Sequence, residues 1–129
     1  MNRQIEQYFD LVESLLLGSP AVTTYEITRK MAGTNDGKIR IKATLADGGL
    51  AEFFEYVVAT PYIRVVKYSF HCQDAAGQLL KRWDNAPHFP QFPNSPHHIH
   101  LADGEVIAAC QPAKIATVLS ELEDFPNHD

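Results

Sequence analysis

Lys38-Ile39-Arg40-Ile41-Lys42-Ala43-Thr44-Leu45 alternates without a break, with Ile39, Ile41, Ala43 and Leu45 in one phase and Lys38, Arg40, Lys42 and Thr44 in the other. Side chains of an extended chain point to opposite sides in turn, so this run is a strand with one buried and one wet face. Turn chemistry brackets it. Thr34-Asn35-Asp36-Gly37 precedes it, with Gly37 available for positive φ, and Asp47-Gly48-Gly49 follows. Upstream, the stretch 22–31 sets Tyr25, Ile27 and Met31 against Thr24, Glu26, Thr28 and Lys30, which completes a hairpin. Downstream, 50–59 carries bulk in both phases (Phe53, Phe54, Tyr56, Val57, Val58), as a central strand does. Thr60-Pro61 interrupts, and 62–73 reads as a fourth strand. Asp74-Ala75-Ala76-Gly77 then reads as a type I turn with Gly77 left-handed, leading to a fifth strand over 79–83.

Helical patterning appears only at the two ends. Ile5, Tyr8, Phe9, Val12, Leu15 and Leu16 share one face of a helix that Asn2 caps and Gly18 with Pro20 stops. Pro112 opens a second helix through about Leu122, with Ile115, Val118, Leu119 and Leu122 inward. Between them, Pro87, Pro90, Pro93 and Pro96 forbid helix interior and central strand, while Phe89 and Phe92 pin this loop down. A short strand is expected after it, over 99–101 or 105–109. The expected architecture is α+β: an antiparallel meander of about five strands with both helices packed on it. Its 129 residues suit one domain, 1–129, with a core over about 2–122 and a frayed tail over 123–129.

Composition narrows the function classes. With 45% hydrophobic and 21% charged residues the chain is globular in character. No apolar run approaches a bilayer span and the start reads as an amphipathic helix instead of an export signal, so the expected location is cytoplasmic, with no membrane partner. Cys72 and Cys110 are expected to be two buried thiols. A formal charge of −5 argues against a protein that coats nucleic acid, but leaves room for a local basic pocket and suits a basic protein partner.

Five of the six histidines, His71, His88, His97, His98 and His100, fall within thirty residues, alongside Tyr68, Arg82, Asp84 and Asn85. Imidazole titrates near neutrality and serves as acid, base or metal ligand. Pairing of the fourth and fifth strands brings Arg82 and Asp84 beside the Tyr68–His71 segment in either of two registers. One sets Phe70 opposite Arg82 and Tyr68 opposite Asp84. The other sets Ser69 opposite Arg82 and turns His71 onto the Arg82 face. Metal-independent RNA cleavage needs a base, an acid and a cation for the phosphorane charge, which the histidines and Arg82 supply. Asp84 then orients a histidine. A divalent metal such as zinc is the second reading, held by His97, His98 or His100 with His88 or Asp84. On an extended segment His98 and His100 share a face and His97 takes the other. The bland reading is a solvated His-Pro loop beside a cross-strand Arg82–Asp84 ion pair worth under about 1 kcal/mol. His128 belongs to the tail.

The pattern Tyr68-x-x-His71-x-Gln73-x-x-x-Gly77, then Arg82-Trp83-Asp84-Asn85-Ala86-Pro87-His88, then Pro96-His97-His98-x-His100, resembles the TumE-like toxins of prokaryotic toxin–antitoxin pairs. The likeness is strong over the C-terminal half, including Glu105-Val106-Ile107, and general over the first helix and hairpin. Phe89 stands where the family pattern has a second histidine. The resemblance implies a small antitoxin partner, commonly with a helix-turn-helix, and an RNA target.

Together these expectations describe a toxin acting on RNA through His71, Arg82, Asp84, His88, His98 and His100, with Tyr68, Asn85 and His97 contacting substrate. His71 or His98 is the base, and His88 or His100 the acid. No cofactor is called for beyond the metal left open, and homo-oligomerisation is open too. The alternative is a non-enzymatic module that docks a partner or a metal through the same loop.

Overall fold

The computed structural model describes residues 2–124. The chain runs α1 (Arg3–Gly18), β1 (Val22–Ala32), β2 (Asp36–Leu45), β3 (Leu50–Val58), β4 (Arg64–Gln73), β5 (Leu79–Asp84), β6 (His98–Leu101), β7 (Val106–Ala108) and α2 (Ile115–Asp124). All strands join one antiparallel sheet in sequence order, a meander with the two helices on one face. Seven strands replace the expected five because both short segments after the His-Pro loop pair, as β6 and β7. Residues 123 and 124 continue α2, and the rest of the expected tail, 125–129 with His128, lies outside the described residues.

The inner face of the sheet presents Ile39, Ile41, Ala43, Ala51, Phe53, Val57, Phe70, Cys72 and Trp83. Ile5, Phe9, Val12 and Leu16 from α1 and Ile115, Val118, Leu119 and Leu122 from α2 close over them, forming one contiguous core. Asn2 caps α1 as expected, its Oδ1 accepting from the Ile5 N–H at 3.2 Å. On the outer face of the central strands, aromatic and basic residues pair across strands. Arg40 lies 4.6 Å over the Phe54 ring, and Lys38 lies 5.7 Å over Tyr56.

Three local expectations change. Met31 is exposed, because β1 slips by one residue between Ile27 and Arg29 and everything beyond the bulge changes face. Gly37 belongs to β2 and is required for space, not for positive φ. A Cβ there would stand 2.7 Å from Ile5 Cγ2 and 2.7 Å from the Met31 carbonyl. Cys110 is exposed while Cys72 is buried, and both thiols are free. Burial pushes the Cys72 thiol up to about 12, which leaves it an inert core group.

Candidate functional site

The β4–β5 hairpin determines which side chains meet. Gly77 takes φ 85° in the turn, and Asp74 N–H donates to Gln78 O at 2.9 Å, so pairing starts in the first of the two expected registers. A bulge between Cys72 and Gln73 then advances β5 by one residue. Beyond it, Ser69 faces Asp84, Phe70 faces Trp83 and His71 faces Arg82. The result is a third register, reached by a slip opposite in sense to the expected one, and it too sets His71 beside Arg82. On the other side of β5, Arg82 faces His100 and Asp84 faces His98. One row across three strands therefore reads His71, Arg82, His100, and the row beside it reads Ser69, Asp84, His98, all on the face away from the helices.

Asp84 organises this patch. Its Oδ2 lies 3.2 Å from Arg82 Nε and 3.3 Å from His100 Nε2, and its Oδ1 lies 2.9 Å from His98 Nε2. Oδ1 also accepts from the Ala86 N–H at 3.0 Å, which ties down the start of the loop. Arg82 and Asp84 are thus neighbours along one strand, not a cross-strand pair. The Arg82 side chain is 40% exposed, and with only Nε engaged by Asp84 its guanidinium end is left to the solvent side. His98 is buried, its Nδ1 2.9 Å from the Pro96 carbonyl. His100 is partly exposed, and burial lowers its pKa against the opposing pull of Asp84. Phe89 covers both rings edge-on, 4.8 Å from His98 and 6.3 Å from His100, and stacks on Phe92 at 5.1 Å. The phenylalanines hold the proline loop against the sheet.

Two shallow clefts flank Arg82. One, of about 430 Å³, is bordered by Phe54, Lys67, Arg82, Asp84, His88 and His100. The other, of about 320 Å³, is bordered by Arg40, Glu52, His71, Gln73 and Arg82. Lys67 and Arg40 add positive charge to a face of an otherwise acidic chain. Sequence reasoning missed both, although each lies in the polar phase of its strand.

Tyr68 and Asn85 also border the larger of these clefts, and His97 borders neither. Tyr68 and His97 stand on the helix side, with Tyr68 Oη 2.9 Å from His97 Nδ1 and accepting from the Ala113 N–H at 3.2 Å. Burial raises the Tyr68 pKa and lowers that of His97. Asn85 extends the β4–β5 ladder with its side chain, Oδ1 accepting from Tyr68 N–H at 3.0 Å and Nδ2 donating to Val66 O at 2.9 Å.

A cavity of about 600 Å³ lies on the helix side, where Leu11, Leu15, Ile63 and Val65 make it mostly apolar. Its polar lining includes Glu55, 2% exposed, whose Oε1 accepts from Tyr8 Oη at 2.6 Å. Burial pushes the Glu55 carboxyl up to about 7, although the Tyr8 hydrogen bond opposes the shift. Burial and the Glu55 charge in turn push the Tyr8 phenol upward. A carboxylate in phase with Ala51, Phe53 and Val57 was the available signal for this pair.

A family model described as toxin TumE matches residues 10–126. The chain belongs to the TumE toxin family. The match takes in every strand, the His-Pro loop and α2, so the candidate site lies within the segment matched to the TumE family. Membership makes this a toxin component of a toxin–antitoxin pair and implies an antitoxin partner. No curated protein and no solved structure matches the chain. Among the described residues, no helix is long and apolar enough to cross a membrane.

Proposed function

We propose that this toxin cleaves RNA by acid–base chemistry on the open face of β4, β5 and β6. The observation that carries the reading is the position of Arg82, a half-exposed guanidinium shared by two clefts, one holding His71 and the other His88. A phosphodiester seated on Arg82 would have an imidazole on either side, as in-line displacement requires. His71 takes the proton of the ribose 2′-hydroxyl as its oxygen attacks phosphorus. His88 gives a proton to the departing 5′-oxygen, and a 2′,3′-cyclic phosphate remains. Arg82 stabilises the charge on the non-bridging oxygens, with Lys67 adding to the local field. Asp84 holds Arg82 at Nε and so aims the rest of the guanidinium outward. His98, almost wholly enclosed, serves this chemistry as a positioning residue and not as the base.

The antitoxin in this proposal is a small basic protein with a helix-turn-helix, a charge that complements the −5 of the toxin. The site is cytoplasmic in this reading, where messenger and transfer RNA are accessible.

The test uses the purified full-length chain and a synthetic single-stranded RNA. Arg82→Ala is expected to lower cleavage by about 10²- to 10³-fold while the circular dichroism and the antitoxin complex stay intact. His71→Ala and His88→Ala are expected to flatten opposite limbs of the pH–rate profile. Wild-type cleavage by Arg82→Ala, or loss of the antitoxin complex with RNA untouched by either protein, would move the assignment to a docking surface.

A further inference from the structure

We infer that Asp84, His98 and His100 form a binding site for a divalent transition-metal ion of the zinc type. The three offer ligand atoms within 4.8 Å of one another, and both histidines present Nε2 to the same carboxylate. Clustering alone does not distinguish a metal site from a hydrogen-bond network. The protonation pattern of His98 does.

His98 Nδ1 lies 2.9 Å from the Pro96 carbonyl, which can only accept, so Nδ1 carries the hydrogen. In the neutral ring Nε2 is then a bare lone pair. It is fully enclosed and makes no hydrogen bond, although Asp84 Oδ1 stands 2.9 Å away. The distance permits a bond, so the direction is at fault: an N–H on Nε2 would miss the oxygen. In that tautomer two electron-rich atoms face each other at 2.9 Å, enclosed and with no well-aimed proton between them. A cation bound by both removes that repulsion and satisfies the one orphaned nitrogen of the ring.

The surroundings fit the same reading. A metal-binding histidine ordinarily donates its other ring N–H to a carbonyl or carboxylate, which sets its tautomer and orientation, and Pro96 O does this for His98. Phe89 packs against both rings and restricts their rotation. Asp84 is fixed from outside by the Ala86 N–H and by Arg82. Two imidazoles and one carboxylate favour zinc or a neighbouring first-row ion over magnesium or calcium, which prefer oxygen cages. Asp84 and His100 border the cleft shared with Arg82 and His88, so a remaining position on the ion would open toward water or a phosphate oxygen. His97, on the other face, takes no part. The inference goes beyond the RNA reading and does not depend on it, because what it predicts is binding.

The test is calorimetric titration of chelator-stripped full-length protein with zinc, paired with the visible absorption of the cobalt(II) form. One ion per chain is expected, with the intense bands of a low-coordinate cobalt site. His98 is enclosed, so His100→Ala on the more open side carries the comparison. It should weaken binding at least about 10- to 100-fold and abolish the cobalt bands with an unchanged circular dichroism spectrum. His71→Ala and His97→Ala should bind as wild type does. Absence of stoichiometric binding to wild type, or binding that His100→Ala leaves intact, would overturn the inference.

Discussion

Replacing Glu55 by glutamine should stabilise the protein at alkaline pH and remove part of its pH dependence. Glu55 is enclosed beneath α1, and its carboxyl is pushed from 4.5 up to about 7. A carboxyl whose folded pKa is raised favours the folded state while it is protonated. That benefit is complete below the unfolded value, declines above it, and is gone once pH passes the folded value. The window therefore runs from about pH 4.5 to pH 7. A gap of this size at ~1.36 kcal/mol per pH unit corresponds to about 3 kcal/mol, a figure that follows from near-complete burial. Glutamine keeps an acceptor for the Tyr8 hydroxyl but has no charge to desolvate. Urea unfolding of both proteins from pH 4 to pH 8 measures the effect. The difference in unfolding free energy should grow by about 3 kcal/mol toward glutamine across that range, equivalent to roughly 10 °C in Tm. A difference that stays constant with pH would refute the argument and show that Glu55 is already solvated or paired.

Gly37→Ala should destabilise by about 1–3 kcal/mol, read by thermal melting, because the new methyl meets Ile5, Phe9 and the Met31 carbonyl. Asn85→Ala should cost about 1–3 kcal/mol by leaving the Tyr68 N–H and Val66 carbonyl without the side chain that bridges them. Hydrogen exchange at the Tyr68 amide should accelerate in the same variant. Phe89→Ala should loosen His98 and His100, seen as broadened imidazole resonances, with little loss in the sheet core.

The alternation over Lys38–Leu45 and the helical spacing of Ile5, Phe9, Val12 and Leu16 were legible because each reflects a local rule, the two-residue and 3.6-residue periods of extended and helical chain. Turn glycines followed similarly where a positive φ was at stake, as at Gly77. Gly37 was misread because its reason lies in α1, 28 or more residues away in sequence, where Ile5 and Phe9 need the space. Met31 was placed inward because a single unpaired residue in β1 reverses the phase, and nothing in the composition of 22–31 marks that bulge.

For the site, the cluster of chemistry was visible as residue types, whereas its division between two faces followed from strand geometry. His98 and His100 share the open face with Arg82 and Asp84, and His97 joins Tyr68 on the helix side. Glu55 went unremarked because an acid in a strand is ordinarily read as a wet-face residue, although it is in phase with Ala51, Phe53 and Val57 and packs under α1.

By itself the sequence determined the order of elements, the meander, the two terminal helices and the family, since hydrophobic period, turn chemistry and the Arg-Trp-Asp-Asn-Ala-Pro-His signature are all local. Only the tertiary structure decided that a bulge beside Cys72 sets His71 across from Arg82, and that the enclosed His98 Nε2 comes within 2.9 Å of Asp84 without a hydrogen bond. Register and enclosure depend on contacts between segments distant along the chain, and no local pattern encodes them.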